Sequence, residues 1–251
     1  MLDVRLFRNT VFTGAITANL ISMTVDVGFI YFASQHLQLV SGLPPMYAGM
    51  LLIPGTLATI IAGLVIARVA VHFHPAQVVS FGLALNAAAF AVLAFLGAHS
   101  DVVIILIFIV LGTGIGIAQT ISNDLMLSSV PPRKAGAASA ISETSYETGA
   151  VLGTVIIGGM LTAVYRANVV VPSGLDESLA DHAHETLGGA VTVANHVGGE
   201  QANQLLSSAF AAFDSGVVLS SAFSAVLMGV MAVISYLMIR KAPREMKPAE
   251  H

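Results

Sequence analysis

The sequence predicts an all-α membrane protein of six transmembrane helices, and three observations carry that prediction. Of the 251 residues, 56% are hydrophobic and only 10% charged, with a mean hydropathy of +0.85, whereas a soluble domain carries about 25% charged residues. Apolar stretches long enough to cross a bilayer, about 20 residues each, recur six times. The basic residues collect in alternate connections, as they do on the cytoplasmic side of membrane proteins.

The first span runs from about Val11 to His36 and the second from about Met46 to Val69, with Pro54 inside it. A proline is tolerated in a membrane helix, where it produces a kink. The third covers Ala76 to Gly97 and the fourth Asp101 to Leu127, stopped by Pro131 and Pro132, since proline cannot continue a helix. The fifth runs from Gly136 to Tyr165 and the sixth from Ser215 to Ile239. Gly112, Gly114 and Gly116 in the fourth span, and Gly149 and Gly153 in the fifth, mark close helix packing. The run GTGIGIA sits mid-span and fits neither the dinucleotide nor the P-loop pattern. The opening MLDVRLFRNT is charged and leads into a full-length span, unlike a cleaved signal peptide.

Loop charge gives the orientation. With the amino terminus inside, Arg5, Arg8, Arg68, Arg133, Lys134, Arg240, Lys241, Arg244 and Lys247 are cytoplasmic, and Arg166 alone of the 10 basic residues is outside. Both termini then lie in the cytoplasm, and the chain is a multi-pass protein of the cytoplasmic membrane. Residues 1–166 hold helices one to five, and residues 215–251 hold the last helix and a cytoplasmic tail. Between them, 167–214 form an extracellular loop rich in Asp, Glu, His, Asn and Ser. Within it Leu175 to Val193 and Glu200 to Phe213 have helical apolar spacing, interrupted by Gly188-Gly189 and separated by Gly198-Gly199. The pattern predicts a helical hairpin before the last helix.

Composition also excludes function classes. There is no cysteine, hence no disulfide, thiolate ligand or cysteine nucleophile. A formal net charge of −4 without a dense basic patch leaves no nucleic-acid partner. The histidine pairs His72/His74 and His182/His184 are two residues apart, a spacing that does not share one helix face, so no metal site is read. No nucleophile–base arrangement is present either, and the chain is not read as an enzyme.

The informative side chains are acids inside spans, which usually face a protein interior or a water-filled cavity. Glu143 and Glu147 lie four apart in the fifth span, stacked on one helix face. Ser139 and Thr154 fall near that face, and Tyr146 stands between the two acids. Glu143 is about two turns from the cytoplasmic end, so a headgroup-zone or helix-packing role stays open for it. Asp26 lies midway along the first span with nothing basic mid-membrane to pair with it. It reads as a cavity-facing carboxylate or as a water-mediated packing group. Tyr31 and Phe32, close beyond it, would suit an aromatic wall for a cation. Asp124 closes the fourth span as a gate or interface contact with Arg133, or as a solvated helix end. Arg68 ends the second as half of an inter-helix salt bridge or as a membrane anchor.

Three segments resemble the major facilitator superfamily, and within it the drug:proton antiporters of the 14-helix multidrug and quaternary-ammonium exporter subgroup. LDVRLFRNTVF at Leu2 to Phe12 resembles that family's lead-in to a late helix. SGLPPMYAGMLLIPGTLATIIAGLVIARV at Ser41 to Val69 resembles the following helix, with its Tyr-Ala-Gly entry, Pro54 and the Gly63…Arg68 exit. VPPRKAGAASAISETSYETGAVLG at Val130 to Gly153 resembles the penultimate helix, where cation exporters of this kind carry membrane-embedded acids. The long outer loop before the last helix also matches.

The resemblance implies the carboxy-terminal half of a major facilitator fold, one six-helix half-bundle of two three-helix repeats. Its expected partners are the bilayer, a missing amino-terminal half, lipophilic cations and protons. The expected activity is proton-coupled efflux of cationic drugs and antiseptics, with the proton gradient as energy source and no cofactor. Glu143, Glu147 and Asp26 would bind substrate and proton, the two glutamates acting as one coupled site. Tyr146, Tyr31, Asp124 and Arg68 would serve the cavity or its gates. On this reading the chain is a fragment or truncated product. The rival expectation is a non-transporting membrane module that acts only by assembling with itself or a separate amino-terminal half.

Overall fold

The structure is a computed structural model that describes residues 4–98 and 100–242. Six helical stretches are long and apolar enough to span a membrane among these residues, and the protein is a multi-pass membrane protein. Arg244 and Lys247, and the side chain of Arg5, lie outside the described residues.

Helix α1 covers Thr10–Gln35 and starts where Asn9 Oδ1 accepts the backbone N–H groups of Val11 and Phe12, at 3.0 and 3.4 Å. That cap satisfies donors which a first helical turn cannot. The helix continues as a π-helical turn, His36–Val40. Helix α2, Pro45–Val69, contains Pro54, and α3, Pro75–Leu96, opens with a capping box between His74 and Gln77. Gly97, at φ +67°, ends α3 in a left-handed conformation that favours glycine. Helix α4 runs Asp101–Ser128, and Pro131 and Pro132 separate it from α5, Ala135–Leu152. A second π-helical turn, Gly153–Gly158, joins α5 to α6, Gly159–Asn168, so the fifth span is a single path with one widened turn.

Two short helices follow, α7 (Glu177–Glu185) and α8 (Leu187–Val197), and then α9 (Gly199–Ile239). Here the structure corrects the sequence reading. The last helix begins at Gly199 rather than Ser215, and Glu200 to Phe213 belongs to it rather than to a loop. Ala202, Leu205, Ala209, Ala212, Gly216 and Ser220 form one buried stripe, and no proline or glycine pair interrupts it. The hairpin is therefore α7–α8. It turns at Thr186, whose hydroxyl accepts from Gly189 N at 3.1 Å, while Gly188 and Gly189 are helical. Gly198 and Gly199, at φ +66° and +68°, divide α8 from α9.

The 41 residues of α9 make a rod about 60 Å long, twice the roughly 30 Å of a hydrocarbon core. Its amino-terminal part projects beyond the spans, where α8 packs on it. Tyr165 Oη donates to the Ala183 carbonyl at 2.8 Å, and Arg166 Nε to that of Glu185 at 3.1 Å, fixing the hairpin to α6. This is the hairpin end of the molecule. At the opposite, terminal end, Asn9 Nδ2 donates to the Ser129 carbonyl at 3.1 Å, and Gly14 of α1 lies against Met238 and Ile239. Arg8, Arg68, Arg133, Lys134, Arg240 and Lys241 are all at the terminal end, and Arg166 is at the hairpin end.

The helices form two layers. In the front layer α2 packs on α4, α4 on α1, and α1 on α5; behind them α3 packs on α4 and α9, and α9 on α1 and α6. Glycines set the closest approaches, since a Cβ at Gly116 would meet the Thr59 carbonyl oxygen and one at Gly149 the Leu20 oxygen at 2.6 Å. Phe29 stacks on Phe108 with centroids 5.1 Å apart and meets Phe32 and Phe90 edge-on, tying α1, α3 and α4 together. Phe32 is 1% exposed, so this ring belongs to the core and is no wall for a ligand. Helix α2 is almost uncovered: only Ala48 and Gly55 are buried in it.

Candidate functional site

The helices of the front layer meet at a polar junction near the terminal end. Asn19 of α1 donates through Nδ2 to Asn123 Oδ1 of α4 and to Tyr146 Oη of α5, each at 3.1 Å. Asn123 Nδ2 donates to the same phenol oxygen at 2.8 Å, and Ser142 Oγ donates to Asn123 Oδ1 at 3.4 Å. Four side chains thus join three helices, and Asn19 is 1% exposed. A buried amide is costly unless paired, so the network holds α1, α4 and α5 in one register. Because Tyr146 Oη accepts two amide N–H groups, its own hydroxyl hydrogen remains available to a further acceptor.

The network also fixes the rotation of α5. Ser142 and Ser145 are buried and Tyr146 is half-buried, while Glu143, Thr144, Glu147 and Thr148 are exposed. The two glutamates therefore lie on the uncovered side of the front layer, four residues apart on adjacent turns.

Asp26 is half-buried and makes no hydrogen bond or ion pair with a described residue. It lies seven residues beyond Asn19 on the same face of α1. The structure does not place it beside the glutamates. Helices α1 and α5 run side by side in one direction, with Asn19 bonded to Tyr146 and Gly28 against Ile157. Asp26 is thus about 9–12 Å further toward the hairpin end than Glu147, at 1.5 Å per residue. Tyr31 lines a groove of about 400 Å³ with Thr154, Gly158 and Arg166, and that guanidinium makes the groove unfavourable to a cation. Asp124 is exposed, and no salt bridge joins it to Arg133 among the described residues. Arg68 donates through a guanidinium nitrogen to the Leu64 carbonyl at 3.3 Å, within its own helix, and makes no inter-helix salt bridge among the described residues.

Sequence reading undervalued Asn19, Asn123 and Ser142. The local signal was a polar amide in an apolar span, but Asn19 and Asn123 are 104 residues apart and nothing local pairs them. A Tyr146→Phe variant is expected to lose about 1–3 kcal/mol, because two amide donors, one of them on the buried Asn19, lose their acceptor. Unfolding in detergent would show this, and an unchanged midpoint would mean the network does not hold α5.

Six apolar spans in two layers, with carboxylates on the uncovered side of one layer, make up an all-helical membrane fold. Residues 3–154 match the Major Facilitator Superfamily. The chain belongs to that superfamily. It is 44% identical over 242 residues to the multidrug efflux pump LfrA of Mycolicibacterium smegmatis, covering 96% of this chain and 48% of that protein. It is 32% identical over 251 residues to the methyl viologen resistance protein SmvA of Salmonella typhimurium, covering 97% and 50%. The fold is similar to the crystal structure of a bacterial homologue of the human lysosomal transporter Spinster, inward-facing and unoccupied. That match has a TM-score of 0.68 at 20% identity, over 94% of this chain and 50% of the other. The chain spans about half the length of the curated relatives it matches.

Proposed function

We propose that this chain is the carboxy-terminal half of a proton-coupled exporter of lipophilic cations, of the 14-helix drug:proton antiporter kind. Both termini are cytoplasmic in the cytoplasmic membrane, and a separate amino-terminal bundle covers the open side. The observation that carries this reading is the pair Glu143 and Glu147, exposed on the uncovered side of α5 and held there by the Asn19–Asn123–Tyr146 network. Carboxylates at membrane depth need a cavity or partner, and a second bundle seated on the front layer would supply one. The names of relatives, multidrug efflux pump and methyl viologen resistance protein, support drug export, and the clustering of basic residues at the terminal end supports the orientation.

In this mechanism a lipophilic cation and a proton compete for one negative charge. With the glutamates ionised the cation is held, and with a proton bound the charge is gone and the cation leaves. Asp26, deeper along α1, is a second proton or cation position on the same route. The test is binding of a fluorescent lipophilic cation from about pH 5.5 to 8, beside a Glu143→Gln/Glu147→Gln variant. The chain is assayed alone and then inside a full-length transporter. Binding should weaken as pH falls and drop at least about tenfold, some 1.4 kcal/mol, in the variant. Equal binding by both proteins in the full-length context would remove these carboxylates from the site.

A further inference from the structure

At the hairpin end, α1 passes into its π-helical turn at His36, and α4 begins at Asp101. His36 is 4% exposed, and its Nε2 stands 3.3 Å from Asp101 Oδ1. Ser41 donates to that same oxygen at 2.6 Å, while its backbone N–H returns to the His36 carbonyl at 3.0 Å. The histidine and the serine are thus the two ends of one wide turn, and both close on one carboxylate. Beside them Asp214 of α9 accepts from Ala98 N–H at 2.7 Å. His36, Asp101 and Asp214 line a single cleft of about 720 Å³ with Phe210 and Phe213 as its apolar wall. These three are the ionisable side chains among its described lining residues. Helix α3 carries none at all, and α2 and α8, which also approach the turn, place none in the cleft.

An imidazole in this position is drawn to carboxylates on two other helices while it carries its second proton. Histidine is the side chain that exchanges that proton near neutral pH. We propose that His36, with Asp101 and Asp214, is a proton-binding latch that clamps the hairpin ends of α1 and α4 together. Protonated, the His36–Asp101 pair is ionic and holds the two helix ends together. As pH rises the proton leaves, the pair falls back to a neutral hydrogen bond, and the helix ends separate.

The surrounding backbone suits a moving part. A π-helical turn is costlier than an α-turn and concentrates at functional sites. Glycines in left-handed conformations, Gly42 at φ +68° and Gly97 at φ +67°, stand just after the turn and just before α4. The same two helices are tied near the terminal end by Asn19 and Asn123, a neutral amide pair. One helix pair is thus tied by polar groups at both ends, and among the Asn19–Asn123, Ser41–Asp101 and His36–Asp101 contacts the last is the one with a histidine in it. The latch requires nothing about the cargo, so it stands or falls separately from cation export.

The chain contains no cysteine, so spin labels can be placed at will. Labels at Gln38→Cys and Val102→Cys would report the separation of the two helix ends by electron–electron double resonance. The expected result is one short distance at about pH 5.5 and a distribution several ångströms longer at about pH 8. In His36→Gln, which keeps a donor for Asp101 without titrating, and in Asp101→Asn, the distribution should be the same at both pH values. A wild-type distribution that ignores pH would overturn the latch, and so would a His36→Gln variant that still responds to pH. Should His36→Gln fail to fold, the Asp101→Asn comparison decides on its own.

Discussion

A Gly116→Val variant is expected to lose the docking of α2 on α4, the largest single effect among those proposed. A Cβ at Gly116 would stand against the carbonyl oxygen of Thr59, and one at Gly112 against that of Gly55. These are backbone atoms of a helix, which cannot rotate away as a side-chain tip does. The Cβ and its two methyl groups therefore force the whole of α2 outward. Overpacking in a well-filled interior costs about 1–3 kcal/mol where side chains can yield, and this seam should exceed that range. Helix α2 is vulnerable because α4 is its main neighbour, and in lipid helix association rests on close packing rather than on the hydrophobic effect. The check is the elution profile of the detergent-solubilised protein. Gly116→Val should aggregate or run as an expanded species, while Gly229→Val, whose Cβ meets nothing within 4 Å, should elute as the parent does. Thr59→Ala should give no rescue, since the obstacle is main chain. A monodisperse Gly116→Val protein would show that the α2–α4 seam is looser than drawn.

The second large effect is expected from Phe29→Ala. This ring is fully buried at the junction of α1, α3 and α4, stacked on Phe108 and edge-on to Phe32 and Phe90. Removing it leaves a cavity that three rigid helices cannot fill, at a cost of about 3–5 kcal/mol. For a chain of this size that is a fall in Tm of roughly 10 °C. Phe95→Ala is the control, because Phe95 is 92% exposed. Equal shifts for the two variants would deny Phe29 its place in the core.

Much of the architecture was legible in the residues. The six spans follow from a local rule: a segment in hydrocarbon must be apolar for about 20 residues and must satisfy its own backbone groups. The Pro131-Pro132 stop, a boundary set by strong local chemistry, was legible for the same reason. The boundary of α9 was misjudged because Glu200 to Phe213 is polar outside and apolar inside, a pattern that a surface hairpin and a helix rising out of the bilayer share. What settles it is the buried stripe packed by α8, which no single stretch of sequence contains.

The candidate site divides in the same way. Sequence alone determined that Glu143 and Glu147 share a helix face, because four residues make about one turn of any helix, and that Asp26 is an acid inside a span. Only the tertiary structure decided which way that face points, that Tyr146 is gripped by two asparagines, and that Asp26 stands away from the glutamates. It also decided that Arg68 spends its hydrogen bond within its own helix, and that His36, outside every motif, meets Asp101. Helical spacing is a property of neighbours in sequence, whereas rotation, register and pairing arise from contacts between helices tens of residues apart. Those depend on where glycines let backbones touch.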